Sequence, residues 1–256
     1  VSEKSAVAGR SARWPSRLWV VRHGQSAGNV ARDLAEAQGV PLIDLEHRDA
    51  DVALSALGER QSRALAAWVG SLPHAQRPRV VMASPYVRAR QTAAIVAQAL
   101  GHGACVVVDE RLREKEFGIL DRYTSAGIRG KFPELAEQRR VVGKFYFRPP
   151  GGESWCDVIF RLRAVNGDLQ LNHVGERVMI VAHQVIVNCF RYLVEGMDEA
   201  RILDIDRQGD VPNCGVTEYA TGADGHALEL VRTNFVPPDV ADEPVTRAPD
   251  QPAGAR

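Results

Sequence analysis

Short, largely aliphatic runs alternate with longer amphipathic stretches through the middle of this chain, and that alternation constrains its fold more than any other feature. RLWVV (17–21), RVVMAS (79–84), ACVVVD (104–109) and RVMIVAH (177–183) lack the polar–apolar alternation of a half-exposed strand. The first reads as a buried strand and the others as further strands. Between them, SALGERQSRALAAWVGSL (55–72) puts Leu57, Ala64, Leu65, Trp68, Val69 and Leu72 on one helical face. YVRARQTAAIVAQAL (86–100) reads as a second helix, stopped by Gly101. Ser154 can cap a third, in which Trp155, Val158, Ile159, Leu162, Val165 and Leu169 follow a 3, 4, 7 spacing. QVIVNCFRYLVEG (184–196) is a fourth, and GVTEYA and ALELVRT read as closing strands. The pattern predicts an α/β fold: a three-layer α/β/α sandwich around a mostly parallel sheet.

Residues 17–236 are expected to form one domain, flanked by flexible tails at 1–16 and at the Pro-, Ala- and charge-rich 237–256. Two stretches, 31–53 and 119–150, follow neither period and are expected over the sheet's ligand edge, the second as a cover segment. With 45% of 256 residues hydrophobic, one sizeable core is attainable. Lys plus Arg (32) equals Asp plus Glu (32), which speaks against a nucleic-acid or membrane-surface protein. No apolar run approaches membrane-spanning length and the first residues lack a signal-peptide pattern, so a cytoplasmic protein is expected. Cys105, Cys156, Cys189 and Cys214 show no C-x-x-C spacing and read as reduced core residues.

Open α/β sheets place ligands at the carboxyl ends of their strands. Here the first strand ends in Arg22 and His23, a second is followed by Arg88, a third by Glu114, and RVMIVA ends at His183. Taken singly, each has a bland reading as a solvated charge or a satisfied structural histidine. Together they bring two arginines, two imidazoles and a carboxylate to one sheet edge, and five independent accidents at equivalent strand ends are not expected.

The motifs resemble those of the histidine phosphatase superfamily, with its phosphoglycerate mutase-like fold. RHGQSAGN matches R-H-G-x-S-x-x-N at Arg22, His23, Gly24, Ser26 and Asn29. LSALGERQ (54–61), SPYVRARQTA with Arg88, LREKEFG with Glu114, GGES (151–154) and the histidine of VAHQ follow in the family's order. Gln184 stands where many members carry glycine. The resemblance implies His23 as nucleophile, Glu114 as proton donor and acceptor, and His183 as a protonated partner of the phosphoryl oxygens. Arg22, Arg88, Asn29, Ser26 and Gln184 would bind substrate. It calls for no metal or other cofactor, and the remaining histidines lack ligand spacing.

The expected activity is hydrolysis of a small anionic phosphometabolite through phosphohistidine, with no nucleic-acid or membrane partner. The alternatives are mutase-type phosphoryl transfer and non-catalytic binding of a phosphorylated ligand. Only residues 115–151 separate Glu114 from Gly152, a short cover for a mutase, which must keep water from its phosphoenzyme. From 122 to 148 the chain carries seven basic residues and two acids. One reading is a solvated basic face. Another turns some of these cations, Arg139 and Arg140 first, toward a second anionic group on the substrate. A third, RNA stacking on Phe145, Tyr146 and Phe147, lacks any accompanying RNA-binding motif.

Overall fold

The structure, a computed structural model, describes residues 13–101 and 104–246. A six-stranded sheet runs in the order β3-β2-β4-β1-β5-β6, from β1 (Arg17–Arg22), β2 (Val80–Ala83), β3 (Cys105–Val108), β4 (Arg177–Ala182), β5 (Val216–Thr221) and β6 (Leu228–Phe235). The pairs β3–β2, β2–β4 and β4–β1 are parallel, whereas β5 is antiparallel to both β1 and β6. The mostly parallel sheet is as expected.

Alternation along β1 divides the core. Leu18 and Val20 face one layer, with α6 (Trp155–Asn172), α7 (Gln184–Val194) and α8 (Glu199–Gln208). Trp19 and Val21 face the other, with α2 (Ala56–Ser71) and α3 (Val87–Leu100). Both faces of β1 and β4 are therefore dry, which explains their unbroken aliphatic runs. Ser55 caps α2 and Ser154 caps α6 through their side-chain oxygens. Gly101 ends α3 at φ 79°.

Four helices escape the sequence pattern, α8 and three others. α1 (Ala27–Gln38) starts inside the site motif itself, on the capping box of Ser26 and Asn29. α4 (Ser125–Lys131) and α5 (Pro133–Val142) occupy the cover segment. α5 buries no side chain and so has no apolar stripe to read.

The expected tails are shorter than the sequence suggests. Trp14 packs on the core and its indole donates to the His226 carbonyl. At the other end, a short turn at 238–240 buries Val240, Glu243 pairs with Arg60, and Thr246 is buried. Apolar and hydrogen-bonding contacts hold 237–246 although its composition is that of a linker. Residues 1–12 and 247–256 lie outside the described residues.

The first turn of α2 lies against the loop after β1 with no room for a side chain. A Cβ on Gly58 would sit 1.8 Å from the Gln25 carbonyl oxygen, and one on Gly24 would sit 2.4 Å from that of Gly58. Gly58→Ala should cost about 1–3 kcal/mol of stability by overpacking. It should also displace the loop that carries His23 and so reduce ligand affinity. Unchanged melting temperature and phosphate affinity would contradict this contact.

Candidate active site

β1 delivers Arg22 and His23 side by side at the sheet edge, and the His23 amide donates to Ala182 O of β4 at 2.9 Å. The His23 ring lies 2.6 Å, through Nδ1, from its neighbour's carbonyl, Gly24 O. A carbonyl only accepts, so Nδ1 carries the hydrogen and Nε2 keeps its lone pair. Arg88 Nε donates to that Nε2 at 3.2 Å. Burial, and then the charges of Arg88 and Arg22, push the His23 pKa well below its ordinary value. The imidazole is neutral and its outward nitrogen is nucleophilic.

The motif residues around it are explained by what they hold. Gln61 Oε1 accepts the Gln25 amide, Ser55 Oγ donates to Gln25 Oε1, and Thr92 Oγ1 accepts the Gly24 amide. These bonds fix the loop behind His23 from two different helices. Asn29 Oδ1 accepts from the backbone and hydroxyl of Ser26, at 3.0 Å each. The amide's oxygen is thereby committed, and its NH₂ remains for a ligand oxygen. Ser26, expected as a ligand contact, spends its hydroxyl on this cap, although it does line the cleft.

Arg22 and Arg88 are almost fully buried. Arg88 grips Asp49 through its carbonyl at 2.5 Å and its carboxylate at 2.9 Å. Burial lowers the Arg22 pKa to about 10, a value at which the guanidinium is still charged near neutrality. Glu114 is buried beside them, and desolvation raises its pKa to about 7 against the opposing Lys115 amide and Arg88. Its loop is clamped from α6. The Glu153 carboxylate accepts from Arg113, Arg161 and the Glu116 amide, while Arg161 donates to the carbonyls of Arg111 and Glu114. The GGES motif thus positions the acid rather than touching the cleft.

His183 lies edge-on to His23, ring centroids 5.1 Å apart, and its Nε2 is 2.7 Å from Ser84 Oγ. Its Nδ1 is buried without a partner. The sequence expectation was a protonated His183. Burial and the nearby Arg88 instead hold its pKa well below the ordinary value, so it is neutral in the empty site. Gln184 departs further from expectation: its amide nitrogen donates to Asp210 at 2.5 Å, and it does not line the cleft.

The cleft encloses about 470 Å³, part of it open to solvent. Besides Arg22, His23, Asn29, Arg88 and Glu114, it is lined by Arg32, Asp49, Asp121 and Arg122. Of the basic segment only Arg122 reaches it, anchored to the carbonyls of Leu45 and His47. Arg139 does not line the cleft, and Arg140 is exposed and pairs with Glu137. Lys144 pairs with buried Asp206 and Arg148 with Asp157. The expectation that Arg139 and Arg140 turn toward the ligand is therefore overturned, since neither lines the cleft. Phe145 and Phe147 are core residues and only Tyr146 of the three is exposed, so they form no stacking series for RNA. Arg32 was missed, although it falls three residues after Asn29 and so on the same side of α1.

Among the described residues no cluster of His, Cys, Asp or Glu could hold a metal ion, and no helix is long and apolar enough to cross a membrane. Cys189 and Cys214 are buried thiols and Cys156 is a half-buried one.

The Glu114 shift makes stability depend on pH. The folded carboxyl titrates at about 7 and an ordinary one at 4.5, so the folded state holds more protons between those values. Its favourable contribution is complete below the lower value and is lost as pH rises toward the upper. Glu114→Gln should therefore raise the melting temperature relative to wild type at about pH 8 and give no gain at about pH 4.5. An identical difference at both would mean that Glu114 titrates normally.

Comparison with known proteins agrees with this geometry. The chain is 34% identical over 169 residues to a bifunctional protein of Mycobacterium tuberculosis, a match covering 66% of this chain and 41% of that one. It thus spans about two fifths of that relative's length. A probable phosphoglycerate mutase of Photorhabdus laumondii is 29% identical over 71% of this chain and 75% of its own. Among solved structures, a mycobacterial glucosyl-3-phosphoglycerate phosphatase in complex with VO₃ superposes with a TM-score of 0.67. Its identity is 26%, over 86% of this chain and 98% of that one. The sequence profile of the histidine phosphatase superfamily (branch 1) matches residues 18–234, and the chain belongs to that family.

Proposed function

We propose that this chain is a phosphomonoester hydrolase that works through a phosphohistidine at His23. The observation that carries this reading is a neutral imidazole, its Nε2 unprotonated, set among cations beside a carboxyl that titrates near neutrality. Nε2 attacks phosphorus as the bond to the leaving alkoxide breaks, and protonated Glu114 gives that oxygen its proton. Water then attacks the phosphohistidine, passes a proton to the Glu114 carboxylate and releases phosphate. Arg22 and Arg88 neutralise the charge spread over the equatorial oxygens. The Asn29 amide adds a neutral donor. His183, unpartnered at Nδ1, gains a proton as the phosphoryl dianion arrives and donates to it.

Hydrolysis is favoured over mutase-type transfer because only residues 115–151 lie between Glu114 and Gly152, a short cover for keeping water from a phosphoenzyme. Non-catalytic binding would leave a buried carboxyl of raised pKa without a task. Quenching under neutral or alkaline conditions with ³²P-labelled substrate should trap one acid-labile, base-stable phosphoryl group. His23→Ala should abolish both the trap and turnover. Activity persisting in His23→Ala would overturn the mechanism.

The substrate is a small phosphorylated metabolite with a second anionic group. Arg32 lines the cleft, makes no hydrogen bond or ion pair among the described residues, and lies in the field of Asp49 and Asp121. A bidentate contact from a partly buried arginine corresponds to a roughly ten- to hundredfold preference in kcat/KM. Arg32→Gln should remove that preference for a bisphosphate or phosphocarboxylate and leave a simple alkyl phosphate nearly unaffected. Equal losses on both classes would exclude Arg32 from substrate selection.

A further inference from the structure

Beyond the residues matched by the superfamily, which end at 234, the chain runs back across α2 and reaches the site. Val240 is buried, Glu243 pairs with Arg60 at 3.4 Å, and Thr246 is only 2% exposed. The Arg22 guanidinium donates through Nη1 to Val211 O at 2.5 Å and Thr246 O at 3.0 Å, and through Nη2 to Thr246 Oγ1 at 3.0 Å. Thr246 Oγ1 in turn donates to Asn213 Oδ1 at 2.7 Å, and Asn213 Nδ2 donates to His23 O at 3.2 Å. One residue outside the family's common region thus ties together Arg22 and the backbone of His23.

We propose that segment 237–246 is a strap and that Thr246 is a positioning residue for Arg22. Two physical points support the assignment. Among the described residues every direct acceptor of Arg22 is neutral: two carbonyls and a hydroxyl. Such acceptors hold a buried guanidinium in place without cancelling its charge, whereas a carboxylate in contact would compete with the phosphoryl group. The bonds also select an edge. Of five guanidinium hydrogens, both on Nη1 and one on Nη2 are taken, which leaves Nε–H and the second Nη2 hydrogen. That remaining edge suits bidentate contact with two phosphoryl oxygens. The β1 strand sets where the Arg22 backbone lies, and the strap sets which way its donors point.

The catalytic consequence rests on the phosphatase reading above, so the test has one arm that does not. Thr246→Val keeps the shape and the backbone carbonyl but removes the hydroxyl, and Thr246→Ser restores it. In the full chain, phenylglyoxal labelling of Arg22, mapped by mass spectrometry, should be faster in Thr246→Val than in wild type or Thr246→Ser. In the second arm, kcat/KM should fall roughly tenfold in Thr246→Val, on the scale of one hydrogen bond to a charged group. Inhibition by vanadate should weaken more than inhibition by phosphate, because the oriented edge matters most where charge develops. That ratio does not depend on the fraction of folded protein. Thr246→Ser should recover both. Unchanged Arg22 labelling in Thr246→Val overturns the proposal whatever the activity. Altered labelling in a wild type that binds neither anion leaves the strap standing and sinks the phosphatase reading. Kinetic loss that Thr246→Ser does not rescue, with vanadate and phosphate equally weakened, reduces Thr246 to a structural residue.

Discussion

Two guanidinium groups lie out of water beside an imidazole and within reach of each other's field, and that buried positive charge is what the rest of the structure accommodates. Removing such ions from water costs several kcal/mol each even after relaxation. The chain offsets this unequally. Arg88 receives a carboxylate, Asp49, whereas Arg22 receives, among the described residues, only neutral oxygens. Together they leave net positive potential at the cleft floor. The same field that receives a phosphoryl dianion keeps both histidines neutral while the cleft is empty. A strong anion site and an unprotonated nucleophile therefore arise from one arrangement.

Holding that arrangement requires a rigid frame behind it. The parallel strands β1, β4 and β2 end together, with Arg22 opposite Ala182 and Ala83 opposite Val181, so their following residues converge. Two helices then brace the nucleophile loop from behind, α2 through Gln61 and α3 through Thr92. A third, α6, holds the Glu114 loop through Arg161, which also grips Glu153 just before the helix cap. The acid and the nucleophile are thus fixed by different elements. The Glu114 pKa then depends on how dry that junction stays, since desolvation is its largest cause.

The motifs were legible because their chemistry is local. RHG is a strand end and Ser154 a helix cap, each recognisable within four residues, whereas Ser26 and Asn29 read as ligand contacts and only the structure shows the helix that they start. Gly58 and Gln61 were legible as a pattern, but their reason was not. It lies in the contact of α2 with Gly24 and Gln25, more than thirty residues away. The basic segment shows the limit from the other side. Seven cations in a short stretch suggested a ligand face, yet Arg139 and Arg140 on helix α5 do not line the cleft, and charges far apart in sequence, Arg32 and Arg122, meet there.

The amino-acid sequence by itself determined the layered α/β architecture, the strand ends that carry Arg22, His23 and His183, and the family to which they belong. These follow from periodicities of two and 3.6 residues and from side chains that act where the backbone puts them. Tertiary structure alone decided which nitrogen of His23 faces the cleft, how high Glu114 titrates and which cations reach the ligand. It also decided that Thr246, in a stretch with the composition of a tail, lies against Arg22. Such properties depend on burial and on partners distant in the chain, and neither has a local signature, because desolvation and hydrogen bonding act through space rather than along the backbone.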